Sequence, residues 1–355
     1  MIYDVAIVGA GPSGASAAYA LEQLGHRIVL IDKEKFPRNK PCAGVLPPRI
    51  YSELEIPKSI MERPLEGYRL FSPSGVVVES AFPKRGLIVR REKFDYFLVK
   101  RVKTELEHVR VSGCVVNKNF VEVFGDRGSF CAKFIVGADG VNSVMRKMTG
   151  IAECGVDKSK DMALAIQYEI SLSKKKIDER LGNWFEVYYT IPFGYGWISP
   201  LKDAVKVGVG GLSADFKKDS KKTLDEFLEQ PFIKEKILDG KIERIESHLI
   251  PMRGPFDTLT ADRIVLGGDA GGFVFPGTGE GVFYAIKSGR IAAEVISQGL
   301  KEQRFDSEFL GKSYAKRLEK NGLTSLREVD FVENVLSSPE KADEYVRRLK
   351  TLSGG

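Results

Sequence analysis

Three glycines and an acid near the start of the chain have the types and spacing to hold the phosphates of a dinucleotide. The segment reads Asp4-Val-Ala-Ile-Val-Gly9-Ala-Gly11-Pro12-Ser13-Gly14, and Asp32 closes the next apolar run, 23 residues after Gly9. Gly9 permits a tight turn out of a strand. Gly11 lets the backbone approach a pyrophosphate, and Gly14 allows close helix–strand packing. The phosphates would rest on free N–H groups at a helix N-terminus, and Asp32 could accept from ribose hydroxyls. A glycine-rich turn alone need carry no ligand. Here an apolar strand, an Ala-rich helix, a second strand and a terminal acid surround it, so the reading is nucleotide binding.

Those residues need a parallel sheet to carry them. Residues 4–8 and 27–32 read as parallel strands around a helix at about 13–24. Two more apolar runs end in Gly and Asp. Phe134-Ile-Val136 leads into Gly137-Ala-Asp139-Gly140-Val-Asn-Ser143-Val-Met-Arg146, and Ile264-Val-Leu266 into Gly267-Gly268-Asp269-Ala270, with a long helix at about 279–299 beyond. Ligands of open α/β sheets sit at the carboxyl ends of the strands, so the Asp139 and Asp269 loops can face the same cleft as Gly9–Gly14. Asp139 reads as fold-supporting; Asp269 is either a ligand-facing acid or a turn and cap residue.

The stretch 33–48 is a long loop in which Pro37, Pro41, Pro47 and Pro48 forbid a regular element, and such a loop in a compact domain usually has a function. Residues 67–82 look like a hairpin around Ser72-Pro-Ser-Gly75. Phe94, Phe97, Leu98, Val102 and Leu106 give 92–107 a helical period. Repeated strands fill 161–211, residues 220–240 look helical, and polar amphipathic helices follow 306. The fold class is α/β: a discontinuous Rossmann-like nucleotide domain (1–65, 85–160 and 255–305), a strand-rich α+β substrate domain (66–84 and 161–254) and a helical C-terminal tail (306–355).

Composition narrows the classes. With 355 residues, two or three lobes are expected. No stretch of 18 or more apolar residues exists. The N-terminus has no basic n-region and reads as a strand, so the cytosolic side is expected. Cys42, Cys114, Cys131 and Cys154 are scattered without metal-ligand spacing, and the three histidines are isolated, which argues against a metal site and a disulfide framework. Net charge is +6, a mild excess that suits anionic lipid headgroups. No basic motif with interleaved aromatics points to nucleic acid. The Lys- and Glu-rich surface is a feature shared with thermophile proteins.

Together the three Gly/Asp-rich strand ends resemble the FAD-binding monooxygenase-like superfamily. Further motifs narrow the likeness. Phe36-Pro-Arg-Asn-Lys-Pro41-Cys42-Ala43-Gly44 resembles the FPRxKPCGG loop of the geranylgeranyl reductase family, and Arg91-Glu-Lys-Phe94-Asp95 its RxxFD. Tyr195-Gly-Trp197-Ile-Ser-Pro200 with Lys206-Val-Gly208 resembles its YxWxFP…xVG, and Gly277-Thr-Gly279-Glu-Gly281 its PxxGxGI turn. Ala43 departs from a usual glycine and Ser199 from a usual phenylalanine. The resemblance implies FAD held by Gly9, Gly11, Pro12, Ser13, Gly14, Asp32, Lys33, Cys42, Ala43, Gly44, Arg91, Val115, Asp269, Gly279, Gly281 and Val282. Asp269 would approach the ribityl and pyrophosphate region, Arg91 would reach the FAD, and Gly281 and Val282 would meet the isoalloxazine edge.

The resemblance also implies reduction of isolated C=C bonds in isoprenoid chains. Flavin N5 supplies a hydride, while the protein holds a greasy chain flat and excludes water. Tyr195 and Trp197 would line that slot, with Gly194 and Gly196 leaving room on the strand. Cys42 is either a proton donor, since thiols stay mostly protonated at neutral pH, or a small turn residue packed under the flavin. An external electron donor is implied: NAD(P)H, ferredoxin or a quinol. The lipid substrate implies peripheral contact at the inner face of the cell membrane. Two alternatives stand beside this reading: a flavin-dependent hydroxylase or halogenase on the same fold, and a non-catalytic prenyl-lipid-binding protein.

Overall fold

A computed structural model describes residues 1–148, 161–212, 214–328 and 330–353; Cys154 lies outside them. The strands in chain order are β1 (Ile2–Val8), β2 (Ile28–Asp32), β3 (Val45–Leu46), β4 (Met61–Phe71), β5 (Val77–Val89), β6 (Leu106–His108), β7 (Val111–Val116), β8 (Val121–Gly125), β9 (Gly128–Gly137), β10 (Met162–Ser171), β11 (Trp184–Tyr188), β12 (Gly194–Pro200), β13 (Ala204–Gly211), β14 (Lys241–Pro251), β15 (Thr260–Ala261) and β16 (Ile264–Leu266). The helices are α1 (Pro12–Gln23), α2 (Arg91–Lys100), α3 (Val144–Met148), α4 (Lys174–Arg180), α5 (Ala214–Glu229), α6 (Pro231–Ile237), α7 (Val282–Glu302), α8 (Ser307–Lys320) and α9 (Pro339–Ser353).

The chain divides into two compact units. The first comprises Met1–Arg38, Phe94–Asp157 and Pro251–Val329; the second comprises Asn39–Lys93, Lys158–Ile250 and Asp330–Gly355. These limits differ from those expected. Residues 39–65 and 85–93 join the strand-rich unit because β3, β4 and β5 pair with one another there. The tail is shared between the units. The Tyr314 hydroxyl of α8 donates to the carbonyls of Leu266 and Ser288 in the first unit, whereas Val335, Leu336, Ala342 and Val346 pack into the second.

In the first unit the sheet order is β15-β16-β9-β1-β2-β6, with β7 and β8 running on from β9. The β16-β9-β1-β2-β6 pairings are all parallel. Their apolar runs are buried on both faces, with Val5, Ala6, Ile7, Phe134, Ile135 and Val136 all inaccessible, as a sheet covered on both sides requires. The expected helix over 92–107 stops at Lys100, and Leu106 instead lies on β6, paired with Leu30 of β2. The helical period ran on by coincidence into a strand recruited by β2.

In the second unit the order is β14-β10-β13-β12-β11-β4-β5-β3. The hairpin around Ser72–Gly75 is present and extends over 61–89. Two expectations need amending. A two-residue strand, Val45–Leu46, forms inside the proline-rich loop because Gly44 and Pro47 bracket a pair free to bond to β5. The helix α4 interrupts the strands expected over 161–211, started by the Ser173 hydroxyl accepting from Lys176 N–H.

Alternation along the central strands gives this second sheet two distinct faces. Ile166, Tyr168, Ile170, Val205, Val207, Val209 and Ile198 build one core with Leu224, Phe227 and Ile233 of α5 and α6. The other face carries Gln167 and Glu169, Lys206, Gly208 and Gly210, and Tyr195, Trp197 and Ser199.

Candidate active site

The first unit gathers its strand ends into one row. Val8 pairs with Ile31 on one side and Gly137 on the other, and Gly137 pairs with Leu266. Asp32, Gly9, Ala138 and Gly267 therefore stand side by side at the carboxyl ends. Gly9 has φ +100°, and a Cβ there would lie 2.3 Å from the Ala138 carbonyl oxygen. A Cβ on Gly14 would lie 1.7 Å from the Gly9 carbonyl oxygen, so neither position accepts a side chain. The helix α1 begins without a side-chain cap and without an acid in its first turn, which leaves its N–H groups and dipole to an anion. Asp32 Oδ2 accepts from Ala10 N–H at 2.7 Å and Oδ1 from Glu34 N–H at 2.9 Å; the turn itself orients the acid, and each oxygen keeps a second lone pair. Ser13 turns its hydroxyl into the space left by Gly267, buried and without a hydrogen-bond partner.

The two later loops have separate jobs. Asp139 caps α3, with Oδ1 accepting from Ser143 Oγ at 2.5 Å and Oδ2 from Val144 N–H at 2.6 Å. Burial pushes its carboxyl up, against those hydrogen bonds. Arg146 reaches back to the Ala270 carbonyl at 3.1 Å and so steadies the turn that bears Asp269. The Asp269 carboxylate lies against Gly281, 3.4 Å from where a Cβ would be. Gly281 is the N-cap of α7, again without a side-chain cap or first-turn acid. Gly279, at φ +69°, closes the tight turn before it.

Arg38 stands beside the Gly9–Gly14 turn, a placement that spacing alone did not reveal. Its Nη2 pairs at 3.1 Å with the fully buried Asp95 and lies 3.5 Å from where a Cβ on Gly11 would be. Its Nη1 is buried without a hydrogen-bond partner. A guanidinium with an unused donor beside an uncapped helix start is an anion cradle in its chemistry. The available signal was the pairing of two motifs, FPR and RxxFD, whose Arg38 and Asp95 meet. Of the other expected cofactor residues, Lys33 is exposed and Val115 is half-exposed on β7.

In the second unit the loop 39–44 lies on the polar part of the sheet face. The Cys42 carbonyl accepts from Lys206 Nζ at 2.9 Å and Gln167 Nε2 at 3.2 Å. The Ala43 carbonyl accepts from Ser199 Oγ at 2.8 Å, so the two positions that depart from the family motifs touch each other. Gly44, at φ +81°, folds against Val89, where a Cβ would strike the carbonyl oxygen at 2.1 Å. The Cys42 sulfur is half-buried and accepts from Gly44 N–H at 3.3 Å. Burial, with Cys42 beside it, pushes the Tyr195 phenol up, so it stays protonated at neutral pH.

Tyr195 and Trp197 sit edge to face, centroids 6.0 Å apart, in one apolar cluster with Phe185, Val187 and Tyr189. The glycines that make room for Trp197 are not those expected. Gly196 faces the other core, where a Cβ would meet Phe227 at 2.5 Å, and Gly194 abuts the Gly210 carbonyl. The indole instead lies over Gly208 and Gly210 of β13, where Cβ atoms would meet it at 2.2 and 3.4 Å. Its Nε1 is buried without a partner. Arg91 is buried at the start of α2 in this unit.

Comparison with known proteins gives this geometry its context. Models of an FAD dependent oxidoreductase and an FAD binding domain match residues 4–88 and 100–317. The chain is 30% identical to geranylgeranyl diphosphate reductase of Arabidopsis thaliana over 97% of this chain and 78% of that protein. It is 29% identical to digeranylgeranylglycerophospholipid reductase of Methanocaldococcus jannaschii over 89% of this chain and 82% of that one. The chain belongs to the geranylgeranyl reductase family.

As expected for a geranylgeranyl reductase family member, its fold matches a geranylgeranyl bacteriochlorophyll reductase-like protein from Thermoplasma acidophilum, with a TM-score of 0.85 at 22% identity over 98% of this chain and 91% of that one. A flavin-dependent brominase shares the fold as well, with a TM-score of 0.73 at 19% identity, which is likeness of architecture only. FAD is the cofactor of this geranylgeranyl reductase family protein, and the glycine cradle, uncapped helix starts and unused Arg38 donor fit a diphosphate-bearing dinucleotide.

Proposed function

We propose that this protein reduces isolated C=C bonds of geranylgeranyl chains in lipid biosynthesis. The observation that carries the reading is the Tyr195–Trp197 aromatic pair on the same sheet face that holds the Cys42–Ala43 loop by its carbonyls. The names of the relatives support the substrate class. Bound and reduced, FAD supplies a hydride to one alkene carbon. Trp197 and Tyr195 hold the chain flat and keep water away, which is positional catalysis. Cys42 holds the proton destined for the other carbon at Sγ.

In this proposal Gly9, Gly11, Pro12, Ser13 and Gly14 carry the diphosphate with Arg38, while Asp32 takes a ribose. Lys33 and Val115 flank the cofactor. Asp269, Gly279, Gly281 and Val282 would hold the flavin end, beside the uncapped N-terminus of α7. Arg91, Cys42, Ala43 and Gly44 complete the set of residues proposed for the cofactor. An external donor, NAD(P)H, ferredoxin or a quinol, recharges the cofactor.

Among the described residues no helix is long and apolar enough to cross a membrane. Peripheral contact through the basic surface would bring the lipid to a cytoplasmic enzyme; flotation with anionic liposomes at low salt tests it, and a protein that stays at the bottom of the gradient removes it.

The deciding experiment incubates dithionite-reduced protein with geranylgeranyl phospholipid or diphosphate and reads products by mass. A gain of about two mass units per bond is expected. Oxygenated or halogenated product would install the hydroxylase or halogenase reading. Protein that binds prenyl lipid without turnover would install the escort reading.

A further inference from the structure

The strand β13 reads Ala204-Val-Lys206-Val-Gly208-Val, one lysine among alternating valines. Val205, Val207 and Val209 fill the core on one face, so Lys206 faces the other, and only 2% of its side chain is exposed. An ammonium is costly to bury unless paired and hydrogen-bonded. Lys206 Nζ donates to the Cys42 carbonyl at 2.9 Å and lies 4.0 Å from Glu246 Oε2. Gln167 Nε2 donates to the same carbonyl and, at 2.7 Å, to the same carboxylate oxygen. Glu246, itself buried, also accepts from Asn39 Nδ2 at 2.7 Å, and Arg244 Nε lies 3.2 Å from its Oε1. In the strand register Lys206 stands beside Ser199, whose hydroxyl holds the next carbonyl, Ala43.

These contacts have a common form. Side chains from β10, β12 and β13 grip the loop by two successive backbone carbonyls, and Glu246 of β14 grips Asn39. These bonds hold the backbone of the loop, while the Cys42 sulfur accepts from Gly44 N–H within the loop itself. A core lysine is a poor choice for stability alone, since an apolar residue of similar length fills the space without desolvating a charge. Fixing a carbonyl is what the ammonium does that an apolar residue cannot.

We propose that Lys206 is a positioning residue: with Gln167 and Ser199 it fixes the Cys42 and Ala43 carbonyls to the sheet and so sets where the Cys42 thiol stands. The consequence for turnover rests on the reading of Cys42 as proton donor; the consequence for the thiol itself does not.

The test uses FAD-loaded protein and the rate at which iodoacetamide labels Cys42, read on its peptide by mass. Lys206→Met should speed labelling about tenfold and lower kcat by a similar factor, the scale of one lost charge-assisted hydrogen bond. KM and flavin content should hold, and Lys206→Arg should restore part of the loss. Folded Lys206→Met with wild-type labelling overturns the proposal. Should that variant fail to fold, Ser199→Ala removes one neutral bond and should speed labelling about threefold; an unchanged rate there overturns it equally. Cys42→Ala separates the two claims: full turnover in that variant, with faster labelling in Lys206→Met, retires the proton-donor reading and leaves the positioning role standing.

Discussion

Gly208 sits under the Trp197 indole, and adding one methyl group there tests whether that ring works as a positioned surface. In Gly208→Ala the new Cβ would fall 2.2 Å from the indole and 2.7 Å from the Gln167 Cβ. Ordinary contact begins at 3.4 Å, so the methyl cannot escape towards Gln167 and the indole must rise by about 1.2 Å, the kind of displacement that costs roughly a hundredfold in a reaction depending on alignment. Overpacking of this sort also costs about 1–3 kcal/mol of stability. Gly210→Ala is the internal control, because its Cβ would stand 3.4 Å from the same ring and needs almost no adjustment. The assays are turnover on a geranylgeranyl lipid, melting temperature, and FAD affinity by flavin fluorescence. Gly208→Ala should lose about two orders of magnitude in kcat and melt several degrees lower, with FAD affinity unchanged; Gly210→Ala should resemble the parent. Wild-type turnover in a Gly208→Ala protein that melts lower would show that the ring is mere core and that the aromatic face does not hold the substrate.

Two further expectations follow from individual groups. Arg38→Met removes the guanidinium that stands beside Gly11; FAD should bind about ten- to a hundredfold more weakly, the range for one charge-assisted contact, and an unchanged dissociation constant in a fluorescence titration would exclude Arg38 from the cradle. Asp306 caps α8 and bonds to Arg304, which with the Phe309 N–H holds its carboxyl down at about 2. A depressed carboxyl stabilises the folded state above its ordinary value of 3.8 and loses that contribution as pH falls towards 2. The melting-temperature gap between the parent and Asp306→Ala should therefore be constant above about pH 5 and narrow below pH 4; a gap independent of pH would mean that capping there does not depend on charge.

The chain alone disclosed what local patterns govern. A glycine turn between an apolar strand and an Ala-rich helix has few other solutions, and the Gly/Asp ends after Val136 and Leu266 read the same way, so the row of strand ends was legible. The hairpin at Ser72–Gly75 was legible because turn chemistry is local. Non-local pairing decided the rest. Leu106 continues a helical period, yet β2 offered an open edge and took it as a strand. Gly194 and Gly196 looked like the space beside Trp197, but strand neighbours alternate faces, and the room came from β13 across the sheet. The grip of Lys206 on the Cys42 carbonyl and of Asp95 on Arg38 joins residues 164 and 57 positions apart. Composition and spacing carry no information about such contacts, because which strand lies beside which, and so which buried charge meets which partner, is settled only when the whole sheet closes its hydrogen bonds.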